Sequence, residues 1–393
     1  MKLGDDPEVE AFRKELSGFL DANLPRPEVA AQRSRSSAHV PQWAREWQRL
    51  LFDNGWLLPN QPPEYGGRNA TLPQLLAYQE ELSRRRVYQS FNPQGISIIA
   101  ASLLSFGTAE QKREWAIPIL RAELTAALGM SEPGAGSDLA GLRTRAVDTG
   151  DHFLVNGQKV WTSGAHDSDV ILTFVRTDPD APKHKGISVL LIPTRSEGVS
   201  CRPFAYMTDP VNDVDFNEVF FTDVKVPREN LVGGLNKGWA VANGSLGHER
   251  TMLWVSYAER LEDLVRDSAP SGEHGDNEWF ATLQLDLQAL RLLGYQQLSG
   301  TINGTANPAG VSVLKLFGSE AVQAASRHAM EEHGCESLLF PHRTAPASHM
   351  NLDNFGSSWF ERYARTFPGT IAGGTSEIHR NIIAERILGL PRS

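Results

Sequence analysis

Apolar residues along the chain change their spacing twice. Up to about residue 122 they recur every three or four positions, the mark of amphipathic helices. Val9, Phe12, Leu16, Phe19 and Leu20 follow Pro7, which suits a first helical turn. Trp43, Trp47, Leu50 and Leu51 make a second stripe, and Leu72, Leu75, Leu76, Tyr78 and Leu82 a third. That third stripe ends in Arg84-Arg85-Arg86, read as a solvated helix end favoured by the dipole. Pro59 to Gly67 reads as a loop. Further helices are expected from Gly95 to Phe106 and from Ala109 to about Arg121.

From about 123 to 232 the period falls to two. Phe153-Leu154-Val155 and Lys159-Val160-Trp161 flank Asn156-Gly157, a hairpin signal because both central turn residues need positive φ. Strands are also expected at 170–175 and 187–192, with one or two more between Val214 and Val226. No helix separates them, so a β-sandwich or small barrel is favoured over a doubly wound parallel sheet. From about 233 the helical period returns, with helices near 238–267, 277–303, 308–333, 356–366 and 376–388. Ser268–Asn277 and Gly334–Phe355 read as loops. The expected organisation is a helical domain over 1–122, a β domain over 123–232 and a helical bundle over 233–393.

Composition adds limits. Of the 393 residues 40% are hydrophobic and 22% charged, as in ordinary globular proteins. The net charge of −9 comes with no basic stripe, which argues against nucleic acid. The longest mostly apolar run, Ile96 to Leu104, is too short to span a membrane. Cys201 and Cys335 have no metal-like spacing and suggest a reducing compartment. The acidic start Met1-Lys2-Leu3-Gly4-Asp5-Asp6 resembles neither a signal nor a transit peptide. The expectation is a cytoplasmic protein with no metal and no membrane or nucleic-acid partner.

Four stretches carry candidate chemistry. Ala242, Leu246, Leu253, Tyr257, Leu261 and Leu264 form a ladder on the expected helix 238–267. Glu249 and Arg250 follow Leu246 by three and four residues and so share the buried stripe. They read either as a structural ion pair or as a general base held in an apolar pocket. In Met130-Ser131-Glu132-Pro133-Gly134-Ala135-Gly136-Ser137-Asp138, glycines permit close approach of a ligand, and serine hydroxyls and free N–H groups can donate to it. Its glycine spacing does not fit a dinucleotide fingerprint, and a plain turn is the alternative. Trp161-Thr162-Ser163-Gly164 places an indole beside a hydroxyl, as a stacking group or as a core tryptophan followed by a turn. In Ile371-Ala372-Gly373-Gly374-Thr375-Ser376-Glu377-Ile378, a glycine turn meets a helix start with Thr375 as N-cap, which either binds phosphate or only caps the helix.

In this order the motifs resemble the acyl-CoA dehydrogenase family, over nearly the whole chain. The resemblance is carried by MSEPGAGSDLAGLRT, NGQKVWTSG, DVKVPRENLVG, GWAVANGSLGHER and TIAGGTSEIHRNIIAERILGLP. It implies a helical domain, a β domain and a C-terminal four-helix bundle. It also implies FAD, an acyl-CoA substrate and an electron-transfer flavoprotein as acceptor. By position, Leu128, Met130, Ser131 and Gly136 would contact the flavin, with Ser131 at its pyrimidine edge. Ser137 would sit near the FAD phosphates and the substrate's pantetheine. Trp161 would cover the isoalloxazine ring, and Ser163, usually Thr in the family, would hydrogen-bond N5. Thr375 and Glu377 would contact the FAD phosphates and ribose. Gly247, His248, Arg250 and Gly373 would contact the substrate.

Most family members carry the catalytic base immediately before the Gly-Thr of the C-terminal motif, where this chain has Gly373. The isovaleryl and long-chain branches place it before the Arg of the first bundle helix, and Glu249 matches that position. The resemblance then implies that Glu249 takes the α-proton while the β-hydride goes to the flavin, giving a trans-2-enoyl-CoA. The thioester carbonyl would be held by a ribitol hydroxyl and the N–H of Gly373. Two departures stand out. The family's Arg-x-x-Phe-Gly motif, which reaches a neighbouring subunit's FAD, is missing around Gly272–Phe280, and Glu332-His333-Gly334-Cys335-Glu336 keeps one glycine of an expected Gly-Gly-x-Gly turn. The resulting expectation is either a homo-oligomer or an α2β2 hetero-oligomer whose second, related subunit supplies the arginine, like those of bacterial steroid side-chain degradation. The rival readings are an acyl-CoA oxidase and a non-catalytic partner subunit.

Overall fold

A computed structural model describes residues 6–30, 35–206, 214–250, 252–268, 278–339 and 358–391, with the side chains of 27–28 and 245–250 outside the description. The chain forms two compact units. One comprises Pro25–Ala70 and Tyr88–Glu249, the other Met1–Leu24, Thr71–Val87 and Arg250–Ser393.

The first unit is built on one sheet. Its strands are β1 Ala126–Gly129, β2 Arg145–Asp148, β3 His152–Lys159, β4 Val170–Arg176, β5 Ile187–Pro193, β6 Val199–Pro203, β7 Asn217–Pro227 and β8 Leu231–Val232. They run in the order β6-β7-β3-β2-β4-β5-β8, with β1 paired to β4 off that path. Pairing is antiparallel except where β1 and β2 meet β4. β4 and β5 are apolar nearly end to end and buried on both faces, the reading expected of strands covered on both sides. β3 and β7 largely alternate instead. Phe153, Val155, Ile171, Leu190, Val219 and Val224 fill the core of the sheet.

Asn156-Gly157 is not a hairpin turn. β3 runs straight through it, paired with β2 on one side and β7 on the other. The register against β7 shifts between Val155 and Gly157, which makes the pair a bulge. Asn156 pins it, donating from Nδ2 to Asp223 Oδ1 at 2.9 Å and accepting the Asp223 N–H at 2.9 Å. Gly157 has φ +152, and a Cβ there would lie 2.6 Å from Thr144 Cα. A glycine in a strand thus marked a close backbone approach, the other meaning such a residue carries.

The expected helices 95–106 and 109–121 are present, each with a π-helical turn, Gly95–Ala100 and Lys112–Ala116. The helix Gln42–Asp53 buries Trp43, Trp47 and Leu51 as its pattern predicts.

The second unit is helical: Pro7–Asn23, Leu72–Arg85, Leu253–Asp267, Glu278–Ile302, Gly310–Glu332, Trp359–Ala364, Phe367–Ile371 and Ser376–Arg386. Leu261, Leu290, Leu298, Leu314 and Val322 share their core with Leu76 from the helix Leu72–Arg85. The helix expected over 238–267 is two helices, Gly238–Arg250 and Leu253–Asp267, because Met252 leaves helical geometry at φ −112 and ψ 2. The Arg84–Arg86 run is not simply solvated. Arg84 and Arg85 both bind the buried Glu81 at 2.6 Å, and Arg86 binds Asp263 at 2.9 Å. Most of the two expected loops, at 269–277 and 340–357, lies outside the described residues. No described helix is long and apolar enough to cross a membrane.

Candidate active site

Within the sheet unit, β1 delivers Leu128 and then Met130 and Ser131 beside the end of β3. The Val160 N–H donates to the Ser131 carbonyl at 2.9 Å, so the serine loop and the Trp161 turn lie against each other. Glu132 and Ala135 exchange backbone hydrogen bonds of 2.9 and 3.1 Å, which closes the loop on itself. Ser131 is half-buried, while Gly134, Gly136 and Ser137 are exposed. A Cβ at Gly134 or Gly136 would meet nothing within 4 Å, so open space lies above the loop.

A buried ion pair supports the loop from beneath. Lys159 is fully buried and donates from Nζ to Glu132 Oε1 at 2.8 Å and to the Met130 carbonyl at 3.1 Å. The other Glu132 bonds come from the N–H groups of Arg143 at 2.7 Å and Thr144 at 2.9 Å. Burial pushes the Lys159 ammonium down to about 8, against the pull of Glu132. Burial also works to raise the Glu132 carboxyl, but the Lys159 charge and these donors together hold it below its usual value. Such a pair adds little net stability, yet removing one partner strands the other.

Trp161 follows directly. Its backbone is left-handed, φ +60, and 56% of the residue is exposed. Phe204 and Phe216 pack against the indole with their planes nearly perpendicular to it and centroids 5.1 and 5.3 Å away. A strained tryptophan presented to solvent is an outlier of the kind that clusters at functional sites. The turn after it is fixed by Thr162 N–H to the Asn217 carbonyl at 3.2 Å and Gly164 N–H to the Asp215 carbonyl at 2.8 Å. Ser163 is half-buried, with its carbonyl 3.4 Å from Gln94 Nε2. Among the described residues the buried Thr162 hydroxyl finds no hydrogen-bond partner.

In the helical unit the glycine turn and its helix stand as the sequence suggests. The Thr375 hydroxyl accepts the Ile378 N–H at 3.2 Å and caps Ser376–Arg386. Glu377 is exposed on the first turn, where its own N–H and the Thr375 hydroxyl hold its carboxyl below the usual range. Gly373 has φ +68, and a Cβ there would meet nothing within 4 Å. Among the described residues the buried Ser376 hydroxyl finds no hydrogen-bond partner. Glu249, Gly247, His248 and Arg250 end the helix Gly238–Arg250, but their side chains lie outside the described residues.

Sequence reasoning missed Lys159, Lys315 and His379. The signal was there for the first two, since each is a lysine on an otherwise buried strand or helix face. Among the described residues no cluster is placed to hold a metal ion.

The arrangement in each unit fits FAD. The sheet unit offers an exposed indole beside half-buried hydroxyls and open glycines. The helical unit offers an orphaned hydroxyl at a capped helix start, where N–H groups and dipole favour phosphate.

Comparison with known proteins agrees. Residues 6–123, 127–224 and 236–388 match the acyl-CoA dehydrogenase N-terminal, middle and C-terminal domains. Acyl-CoA dehydrogenase FadE26 of Mycobacterium tuberculosis (strain ATCC 25618 / H37Rv) is 34% identical over 414 residues, covering 100% of both chains. A solved "Tcur3481-Tcur3483 steroid ACAD" chain superposes with a TM-score of 0.80 at 30% identity, again over 100% of both. A chain of the ChsE4-ChsE5 complex from Mycobacterium tuberculosis gives 0.77 at 32%, covering 100% of both. The chain belongs to the acyl-CoA dehydrogenase family. It is an FAD-dependent oxidoreductase that dehydrogenates acyl-CoA thioesters.

Proposed function

We propose that this chain oxidises a bulky acyl-CoA between its α- and β-carbons, with Glu249 as the base. The observation that carries the reading is Gly373. At that turn the chain offers a backbone N–H and open space but no carboxylate, so the base comes from elsewhere, and Glu249 holds the position used by the isovaleryl and long-chain branches. The α-proton of a thioester is weakly acidic. A hydrogen bond from the Gly373 N–H to the thioester carbonyl stabilises the charge that develops as Glu249 takes it. Ser131, Ser163 and Trp161 hold and cover the flavin ring, and Thr375 and Glu377 receive its phosphates and ribose. When bound, FAD supplies a hydride acceptor at the β-carbon. The electrons leave to an electron-transfer flavoprotein in the cytoplasm.

The missing carboxylate side chain at Gly373 leaves room beside the substrate, and a solved relative is titled a steroid enzyme. Both favour a branched or ring-bearing acyl group. Glu249→Gln should keep FAD and slow anaerobic flavin bleaching by such a thioester roughly 10³-fold, within the usual range for a general base. Wild-type bleaching in the variant would overturn the assignment. Stoichiometric hydrogen peroxide during aerobic turnover would point to an oxidase instead.

A second related chain completes the enzyme in this reading. The Arg-x-x-Phe-Gly motif is missing, and two structural relatives are named as pairs of different chains. Purified alone the chain should hold well under one FAD per subunit and gain it on co-expression with a partner that carries the arginine. Full FAD in a homo-oligomer would exclude the need for one.

A further inference from the structure

Two buried side chains grip the glycine turn of the helical unit. Lys315, 3% exposed on the helix Gly310–Glu332, donates from Nζ to the Gly374 carbonyl at 2.6 Å. His379, 2% exposed, places Nε2 3.2 Å from the Gly373 carbonyl. A carbonyl only accepts, so this ring nitrogen carries the hydrogen.

The grip decides which way the turn faces. In a trans peptide the C=O and N–H of one plane point in opposite directions. Holding both glycine carbonyls toward Lys315 and His379 turns the Gly374 and Thr375 N–H groups to the other side. On the His379 side the turn is full, since a Cβ at Gly374 would sit 2.9 Å from His379 Nε2. Beside Gly373 the space is open, and among the described residues the N–H groups of Gly373, Gly374 and Thr375 find no acceptor. The Gly373 N–H belongs to the peptide between two pinned planes. The Ala372 N–H is bonded to the Pro368 carbonyl at 2.8 Å on one side, and His379 holds the next carbonyl on the other. Two adjacent glycines would otherwise be the loosest backbone available.

We infer that Lys315 and His379 are positioning residues that aim this turn for the thioester carbonyl of the substrate. Neither touches substrate; each acts through the backbone. The inference rests on the reading that the Gly373 N–H receives that carbonyl.

The test uses the FAD-loaded enzyme, with its partner subunit if one is needed. The variants are Lys315→Met, His379→Leu and His379→Gln, the last keeping a side-chain N–H donor. The first readout is the infrared stretch of a ¹³C-carbonyl acyl-CoA whose β-carbon bears no hydrogen, so that it binds without reacting. The second is kcat and KM with a reactive thioester, alongside FAD content and Tm. Lys315→Met and His379→Leu should return the stretch toward its free value and lower kcat roughly 10- to 100-fold, the scale of small misplacement, with KM changed far less. His379→Gln should restore most of both. Folded, flavin-loaded variants that keep the wild-type stretch and kcat would overturn the inference alone, even with a lowered Tm. A wild-type enzyme that leaves the stretch at its free value would overturn the functional reading and this inference with it. If Lys315→Met does not fold, the His379 pair decides.

Discussion

Trp161 holds a left-handed backbone while leaving most of its surface to solvent. Folding alone gains little from such a residue, so its loss should cost binding more than stability. Trp161→Gly relieves strain of about 1 kcal/mol or more. It should leave the Tm of the flavin-free protein nearly unchanged while weakening FAD binding roughly tenfold, as judged by fluorescence titration; a large fall in Tm with unaltered affinity would reverse that ranking. Glu259 is a titrating residue of another kind. Burial first, and then Asp263, push its carboxyl up to about 7, against Arg260, Ser83 and Arg86. A raised carboxyl contributes stability that is complete below its unfolded value of about 4.5 and lost as pH climbs through about 7. Glu259→Gln should therefore flatten the fall in Tm across that window and leave the variant the more stable at alkaline pH; an unchanged slope would remove Glu259 as its cause. At this scale the sequence disclosed residues whose chemistry is local, such as the Thr375 cap and the open glycines. It marked Lys159 and Lys315 as lysines on buried faces but not their partners, Glu132 in one case and a glycine carbonyl in the other, because those are chosen by the fold.

At the scale of elements, periodicity located the long helices and the strands β3, β4, β5 and β7 but not β1, β2, β6 or β8, and two misreadings fell where one signal has two physical meanings. Asn-Gly marks a hairpin when the strand must reverse and a bulge when it must continue past a crowded neighbour. Here β2 and β7 flank β3, and continuation wins. Gly157→Ala should destabilise the protein by about 2–3 kcal/mol, combining overpacking with an unfavourable backbone. Urea unfolding would show it as a lower midpoint at constant m, and a neutral result would mean that the backbone at Thr144, just before β2, can retreat. The ladder from Ala242 to Leu264 likewise looks like one helix, because side-chain period says nothing about a single residue leaving helical geometry, as Met252 does.

At the scale of the molecule, the two units do not follow the chain. The helices Pro7–Asn23 and Leu72–Arg85 join the C-terminal helices, whereas Gln42–Asp53 belongs with the sheet. Leu76 lies in the same core as Leu261 and Leu290, and Tyr295 donates to Glu80 at 3.1 Å. Residues 236–388, the span of the C-terminal family match, are therefore missing part of their own core. That fragment expressed alone should melt without a sharp transition and bind a hydrophobic dye; a cooperative melt would show that the N-terminal helices are dispensable. This interleaving was illegible in the sequence, because amphipathic stripes announce a buried face but not the face that buries it.

The same interleaving bears on how the chain is made. A ribosome releases the apolar face around Leu76 long before Leu261 and Leu290 exist to cover it. At roughly 5–20 residues per second that interval is on the order of ten seconds or longer, during which exposed leucines invite association with other nascent chains. Supply of this enzyme in a cell should then depend on chaperones that shelter an early N-terminus, and a faster or slower stretch of translation between the two segments should change its soluble yield without altering one residue of the finished protein.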